Sequence, residues 1–284
     1  MSSVLSIGYF LVFHGSRDRR PQLLLLELIR SLNKQITDES ILTQSKSSQQ
    51  RTGLENLIDI SNYTGKISSS NTNVVDSSGN KVIPLVDVGS LELTSISLQK
   101  QLEKYAKFLQ KRGCKRLKIL PLFLVPGVHV CEDIPAEITP VQSRLAPAIK
   151  LELLPYLGSY PQIVAILRKQ FDRLPQNGKI LLAHGTSYLG GNEWLKNLAI
   201  QLEAQIAYYS VKSSLQEQIE ILISQQKQKI TIVPYFLFPG KITDAIATEV
   251  KRLQQVYPDT ELLLGKPLGA TNELVNLIVE VLSI

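Results

Sequence analysis

Two stretches of this 284-residue chain are near copies of each other, and that repetition constrains the fold more than any other feature. Pro121-Leu-Phe-Leu-Val-Pro-Gly127 returns as Pro234-Tyr-Phe-Leu-Phe-Pro-Gly240, and Phe13-His-Gly-Ser16 returns as Ala183-His-Gly-Thr186. A third pair sets Ser95-Ile-Ser-Leu-Gln-Lys-Gln-Leu102 against Val211-Lys-Ser-Ser-Leu-Gln-Glu-Gln-Ile219, with Leu98 over Leu215. Matching landmarks in matching order imply two homologous halves. Each landmark joins a short apolar run to a helix-like pattern, so each half is a series of strand–helix units.

Val4 to Phe13 is almost continuously apolar, as expected of a strand buried on both faces, and Pro21 to Leu32 carries leucines at helical spacing. Periodicity then fails. The segment from about 34 to 80 is rich in Ser, Asn, Gln and Thr, including Gln44-Ser-Lys-Ser-Ser-Gln-Gln50 and Ser68-Ser-Ser-Asn-Thr-Asn73, and reads as a mobile low-complexity insertion. Order resumes with a strand at Val82–Val88, a helix at Ser95–Lys111 stopped by Gly113, and a strand at Leu117–Val125. A helix capped by Asp133 and running to Leu145 and a strand at Ile149–Leu154 follow, with a helix at Pro161–Phe171 behind that strand. The second half repeats the alternation, with strands at Lys179–Ala183, Ile206–Val211, Ile230–Phe238 and Glu261–Leu264. Its helices are expected at Glu193–Leu202, Leu215–Ile223, Thr243–Gln255 and Glu273–Leu282. The fold class is therefore α/β: two similar lobes, each a four-stranded parallel sheet flanked by helices, with a cleft between them. The lobes are expected at 1–158 and 159–284.

The net charge of +6 admits nucleic acid, an anionic membrane surface or a polyanionic small molecule as partner. The basic residues lie in short scattered groups without the aromatic interleaving of a single-strand binder, which argues against nucleic acid. Two cysteines, Cys114 and Cys131, cannot build a disulfide framework or hold an iron–sulfur cluster, so a reducing, cytoplasmic location is the default. No apolar stretch approaches the roughly 20 residues that cross a bilayer, and no basic residue precedes the first apolar run as a signal peptide would require. A soluble protein with no membrane partner is expected.

The repeat also permits a comparison within the chain. His14 is matched by His184, but sliding Gly127 onto Gly240 sets His129 over Ile242, and sliding Leu98 onto Leu215 sets Glu92 opposite Tyr209. Only the first half carries His, Glu and His together. Each follows the carboxyl end of an expected parallel strand, where ligands of open α/β sheets bind. Two imidazoles and a carboxylate can hold a borderline divalent metal, and each can take a proton near neutral pH. The chain has three histidines, all in the repeated strand-end motifs, which favours function for His14 and His129. Glu92 admits two readings, a functional carboxylate or a residue that caps the helix after it. His184 reads as structural, Cys131 as a buried inert thiol, and Trp194 as core or cleft wall. There is no G-x-G-x-x-G, no phosphate-binding G-x-x-x-x-G-K and no G-x-S-x-G elbow.

His14-Gly-Ser-Arg-Asp18, Leu91-Glu-Leu-Thr-Ser95 and the run from Pro121 through Gly127-Val-His-Val130 to Asp133-Ile-Pro135 resemble the motifs of the sirohydrochlorin chelatases. That family includes sirohydrochlorin ferrochelatase and the cobaltochelatase of cobalamin synthesis. The resemblance covers nearly the whole chain outside the insertion, in the two-half single-chain form. It implies a chelatase-like fold, sirohydrochlorin as small-molecule substrate and Fe2+ or Co2+ as substrate metal, with iron placed ahead of cobalt and no permanently bound cofactor. It implies catalytic and metal-binding roles for His14, Glu92 and His129. Arg17, Arg19 and Arg20 are candidates to hold the carboxylates of the substrate. His184 lies outside the set, since many two-half relatives lack it, and the cysteines of the iron–sulfur plant relatives are missing. A monomer with two pseudo-symmetric halves follows, and the alternative is a non-catalytic tetrapyrrole or metal carrier.

Overall fold

The computed structural model describes residues 7–45, 74–75, 81–82, 86–175, 177–211 and 214–283. In chain order the first half comprises β1 (Ile7–Phe13), α1 (Arg19–Ser45), β2 (Val74–Val75), β3 (Lys81–Val82), β4 (Val86–Ser90), α2 (Leu98–Gln110), β5 (Arg116–Pro121), α3 (Ile134–Leu145), β6 (Lys150–Leu153) and α4 (Gln162–Asp172). The second comprises β7 (Gly178–Ala183), α5 (Gly191–Gln201), β8 (Gln205–Tyr208), α6 (Ser214–Ser224), β9 (Lys229–Pro234), α7 (Lys241–Val256), β10 (Glu261–Leu264) and α8 (Asn272–Ser283). The main strands form two four-stranded sheets ordered β4-β1-β5-β6 and β10-β9-β7-β8, with every pairing parallel. In each sheet the chain steps from its first strand to one neighbour, then crosses back to the other side. The two crossovers diverge there, leaving a crevice at the carboxyl ends of β1 and β5, and likewise of β7 and β9.

β1 shows why its sequence is apolar throughout. Phe10 and Val12 enter a core roofed by α2 and α3, with Leu98, Leu102, Ile134 and Val141, while Leu11 and Phe13 face the opposite way. A sheet covered on both faces needs apolar residues at both parities. The second sheet likewise packs Ile180 and Leu182 against Leu215, Ile219, Val250 and Leu253 of α6 and α7. The inner faces of both sheets share a single continuous core with α1, α4, α5 and α8, joining Leu28, Leu120, Phe171, Leu181, Leu195, Val233 and Ile278. α4 packs on β9 of the other half, and α8 packs on α1 and α4. The lobes are thus two sheets built around a common helical layer.

Lys118 of β5 confirms how closely they are joined. It is 2% exposed, and its Nζ donates to the Leu282 carbonyl at 2.9 Å. A buried ammonium is tolerated only when hydrogen-bonded, and the carboxyl end of α8 supplies both an orphan acceptor and the negative pole of the helix.

Three expectations change. α1 does not stop at Leu32 but runs to Ser45, because the half-buried Ile36 continues the stripe of Leu25, Leu28 and Leu32. The remainder of the expected insertion lies largely outside the described residues. β5 and β9 end at Pro121 and Pro234, short of Val125 and Phe238. Proline has no N–H for the ladder, so each proline is a strand terminus, and the apolar residues after it belong to the loop.

Candidate metal centre at the carboxyl ends of the first sheet

His14 follows β1, Glu92 follows β4, and His129 lies in the turn after β5, so three adjacent strands deliver the three side chains to one place. His14 Nε2 is 3.8 Å from Glu92 Oε2, and His129 Nε2 is 3.8 Å from Glu92 Oε1. The two rings meet edge to face with centroids 4.9 Å apart, and the Phe123 ring lies about 6 Å from both, at 6.4 and 6.1 Å. One ligand atom from each of the three lies within 4.8 Å of the others. An ion with bonds of about 2.1 Å needs donors roughly 3 to 4 Å apart, so small side-chain rotations complete the set. The side chains of His14, Glu92 and His129 are 50, 48 and 33% exposed, which leaves one side of any bound ion open.

The backbone holds this geometry in place. Gly15 has φ +105°, and a Cβ there would stand 2.2 Å from the Glu92 carbonyl oxygen, so only glycine lets the two loops touch. Their contact is a hydrogen bond from Glu92 N–H to the His14 carbonyl at 2.9 Å. Gln101 of α2 secures the rest of the Glu92 loop, donating from Nε2 to the Ser90 and Ile96 carbonyls and accepting from Ser90 N–H. Leu93, next to Glu92, takes φ +57°, a strained conformation for a branched residue that re-aims the chain.

Asp133 is not the helix cap it was expected to be. It makes no capping hydrogen bond; its Oδ2 instead meets His129 Nδ1 at 2.7 Å. Residues His129–Asp133 form one wide π turn, closed by Ile134 N–H donating to the His129 carbonyl, and this turn leads into α3. Sequence reasoning also passed over Gln101. The four-residue spacing from His129 to Asp133 was the available signal for the first; the second, a long-range contact from α2, had none.

The second half keeps the frame and one histidine, His184, but loses the carboxylate and the second histidine. Phe13↔Ser90 and Ala183↔Tyr208 are equivalent strand pairs, and Ser210 N–H bonds the His184 carbonyl as Glu92 N–H bonds that of His14. The counterpart of Glu92 is therefore Ser210, not Tyr209. The loop before α2 is one residue longer than that before α6, and an ungapped match anchored on Leu98 and Leu215 carried the slip into the strand end. His184 contacts only its own neighbour Gly185 and the Tyr209 ring among the described partners.

Arg17, Arg19 and Arg20 are all exposed beside His14. Arg20 is engaged: its guanidinium takes Asp18 and, at 2.6 and 2.8 Å, both oxygens of Asp244 at the start of α7. The contact holds the Asp18 carboxyl down at about 2 and lowers that of Asp244. Among the described residues, Arg17 and Arg19 form no ion pair. Further links cross between the halves here. Tyr235 Oη donates to the Leu124 carbonyl at 3.0 Å, and the Trp194 ring meets that of Tyr156 edge-on with centroids 6.4 Å apart. Trp194 is accordingly part of the joint between lobes, whereas Cys131 is exposed, not buried, because it projects from the wide turn rather than into the core.

A protein-family model described as CbiX matches the chain twice, over residues 72–174 and 178–283. The sirohydrochlorin ferrochelatase of Priestia megaterium is 25% identical over 184 residues, covering 60% of this chain and 67% of that protein. The sirohydrochlorin cobaltochelatase of the same organism is 22% identical over 174 residues, 56% of each. The structure of SirB from Bacillus subtilis with Fe3+ superposes with a TM-score of 0.66 at 18% identity, covering 98% of this chain and 95% of that one. At that identity the last likeness is one of fold.

Proposed function

The chain belongs to the CbiX family, and from that premise we propose that it is a sirohydrochlorin chelatase, inserting a divalent metal into a tetrapyrrole polycarboxylate. The observation that carries the reading is the His14, Glu92 and His129 cluster, with its donor atoms within 4.8 Å and half open to solvent. Structural metal sites are closed by a full protein ligand set; three donors with an open face suit an ion that arrives and leaves as substrate.

Insertion requires partial dehydration of the metal and removal of two pyrrole N–H protons from the macrocycle. In this reading the free Nε2 lone pairs of His14 and His129 replace water on the ion, and Glu92, facing both rings, completes the set. Once the metal passes to the macrocycle, the same three groups are bases in reach of the released protons. In this reading Arg17 and Arg19, exposed and outside any ion pair among the described residues, hold the substrate carboxylates, while Arg20 becomes available only by giving up Asp244. We place Fe2+ ahead of Co2+, in line with the ferrochelatase name of the relative that covers more of the chain; imidazole and carboxylate accept either ion. We take the working form to be a monomer in the cytoplasm. Among the described residues no helix is long and apolar enough to cross a membrane.

The test is anaerobic incubation with sirohydrochlorin and each ion, following the absorbance change against the uncatalysed rate. His14→Ala and His129→Ala should each slow insertion by about 100-fold or more, the range set by loss of a proton acceptor. His184→Ala should stay within a few-fold of wild type. Near-normal rates in both of the first two variants would sink the assignment, and substrate binding without any rate acceleration by the wild type would make the protein a carrier.

A further inference from the structure

The His129–Asp133 contact has a partner observation in the second half. With Gly127 on Gly240, His129 falls on Ile242; the π turn then adds one residue, so the buried Ile134, Ile138 and Val141 match Ile246, Val250 and Leu253, and Asp133 falls on Ala245 of α7. The two positions change together: where the histidine is absent, the carboxylate is absent too, and an exposed alanine stands in its place. A helix-capping or solubilising aspartate would have no reason to vanish with a histidine.

The atoms explain the pairing. His129 offers Nδ1 to Asp133 Oδ2 at 2.7 Å and turns Nε2 toward Glu92 Oε1 at 3.8 Å. A carboxylate accepts and does not donate, so the shared proton belongs to Nδ1, and the Nε2 lone pair is left free on the side of the cluster. We propose that Asp133 is a positioning residue: it fixes His129 in its Nδ1–H tautomer and holds the ring with Nε2 aimed between His14 and Glu92. Its role toward metal rests on the chelatase reading above; its role toward the ring does not. Carboxylates behind metal-binding histidines commonly have this part, and their removal lowers metal affinity about 10- to 100-fold.

Asp133→Ile replaces the acceptor with an apolar side chain, and Asp133→Asn keeps the shape while removing the charge. The ring 15N shifts of His129 without metal report the tautomer. Wild type should show Nδ1–H, and the isoleucine variant a shift toward Nε2–H, with the asparagine variant between them. A Co2+ titration followed by its visible absorption should show affinity falling about 10- to 100-fold for isoleucine and less for asparagine. An unchanged tautomer in Asp133→Ile overturns the proposal, and so does a changed tautomer with unchanged Co2+ affinity. If the isoleucine variant is unfolded by circular dichroism, the asparagine variant decides by the same two readouts. A wild type that binds no Co2+ counts against the chelatase reading alone, and the tautomer arm still decides the role of Asp133.

Discussion

Alanine in place of Gly15 and, separately, of Gly185 makes the internal repeat its own control. Both glycines follow a strand-end histidine and both are left-handed, at φ +105° and +84°, so each alanine carries about 1–2 kcal/mol of conformational strain. Their surroundings differ. At Gly185 the tight contact is the Ser210 hydroxyl, 2.6 Å from a built Cβ, and a hydroxyl can rotate away. At Gly15 it is the Glu92 carbonyl oxygen at 2.2 Å, which moves only if the loop moves. That motion strips the 2.9 Å Glu92 N–H bond to His14, adding about 1 kcal/mol. Gly15→Ala should therefore lose about 2–3 kcal/mol in urea unfolding, and Gly185→Ala about 1–2 kcal/mol. Function should separate them far more. An ångström-scale displacement of Glu92 costs roughly 100-fold in metal insertion, whereas Gly185→Ala should retain a rate within a few-fold of wild type. The reasoning fails if Gly15→Ala inserts metal at the wild-type rate, or if the two variants lose activity equally.

Other outcomes follow from single contacts. Tyr235→Phe removes the buried hydroxyl that satisfies the Leu124 carbonyl and should lower stability by about 1–3 kcal/mol in urea unfolding, with the ring packing kept. Glu273 of α8 is held at about 2, chiefly by its hydrogen bond from Lys169 of α4. A depressed folded value means the stabilisation is present above the ordinary glutamate pKa of about 4.3 and is lost as pH falls toward about 2. The Tm difference between wild type and Glu273→Gln should thus be constant near neutrality and shrink across that acid window. Iodoacetamide should label Cys131 in the native protein and leave Cys114 untouched until unfolding, because Cys114 is buried and its thiol is pushed up by desolvation.

The sheet architecture and the His14, Glu92, His129 set were legible in sequence because strand-end residues are delivered to one edge by topology alone. Two apolar parities and the Pro-Gly stops sufficed for the sheets; the half-to-half comparison pointed to the histidines, and Glu92 kept two readings until the family resemblance singled it out. What escaped depended on contacts that spacing does not encode. Asp133 lies where a cap belongs, and only the direction of His129 Nδ1 shows its other use. Ile36 continues the stripe of α1 inside a segment whose Ser and Gln content suggests loop. The repeat suggested two lobes with a cleft between them, yet their inner faces share one core, since a repeat records descent and not which surfaces end up covered.

The bond from Lys118 to Leu282 also orders the birth of the molecule. A ribosome releases β5 well over a hundred residues before α8, and lobes that fold as units usually do so as they emerge. Here the inner face of the first sheet waits for a helix made well over a hundred residues later. During translation Lys118 is therefore better left in water than buried, and the first lobe closes only after the last turn of α8 reaches it. A nascent chain stalled before residue 272 should be protease-sensitive throughout its first half, however complete that half looks as a sequence.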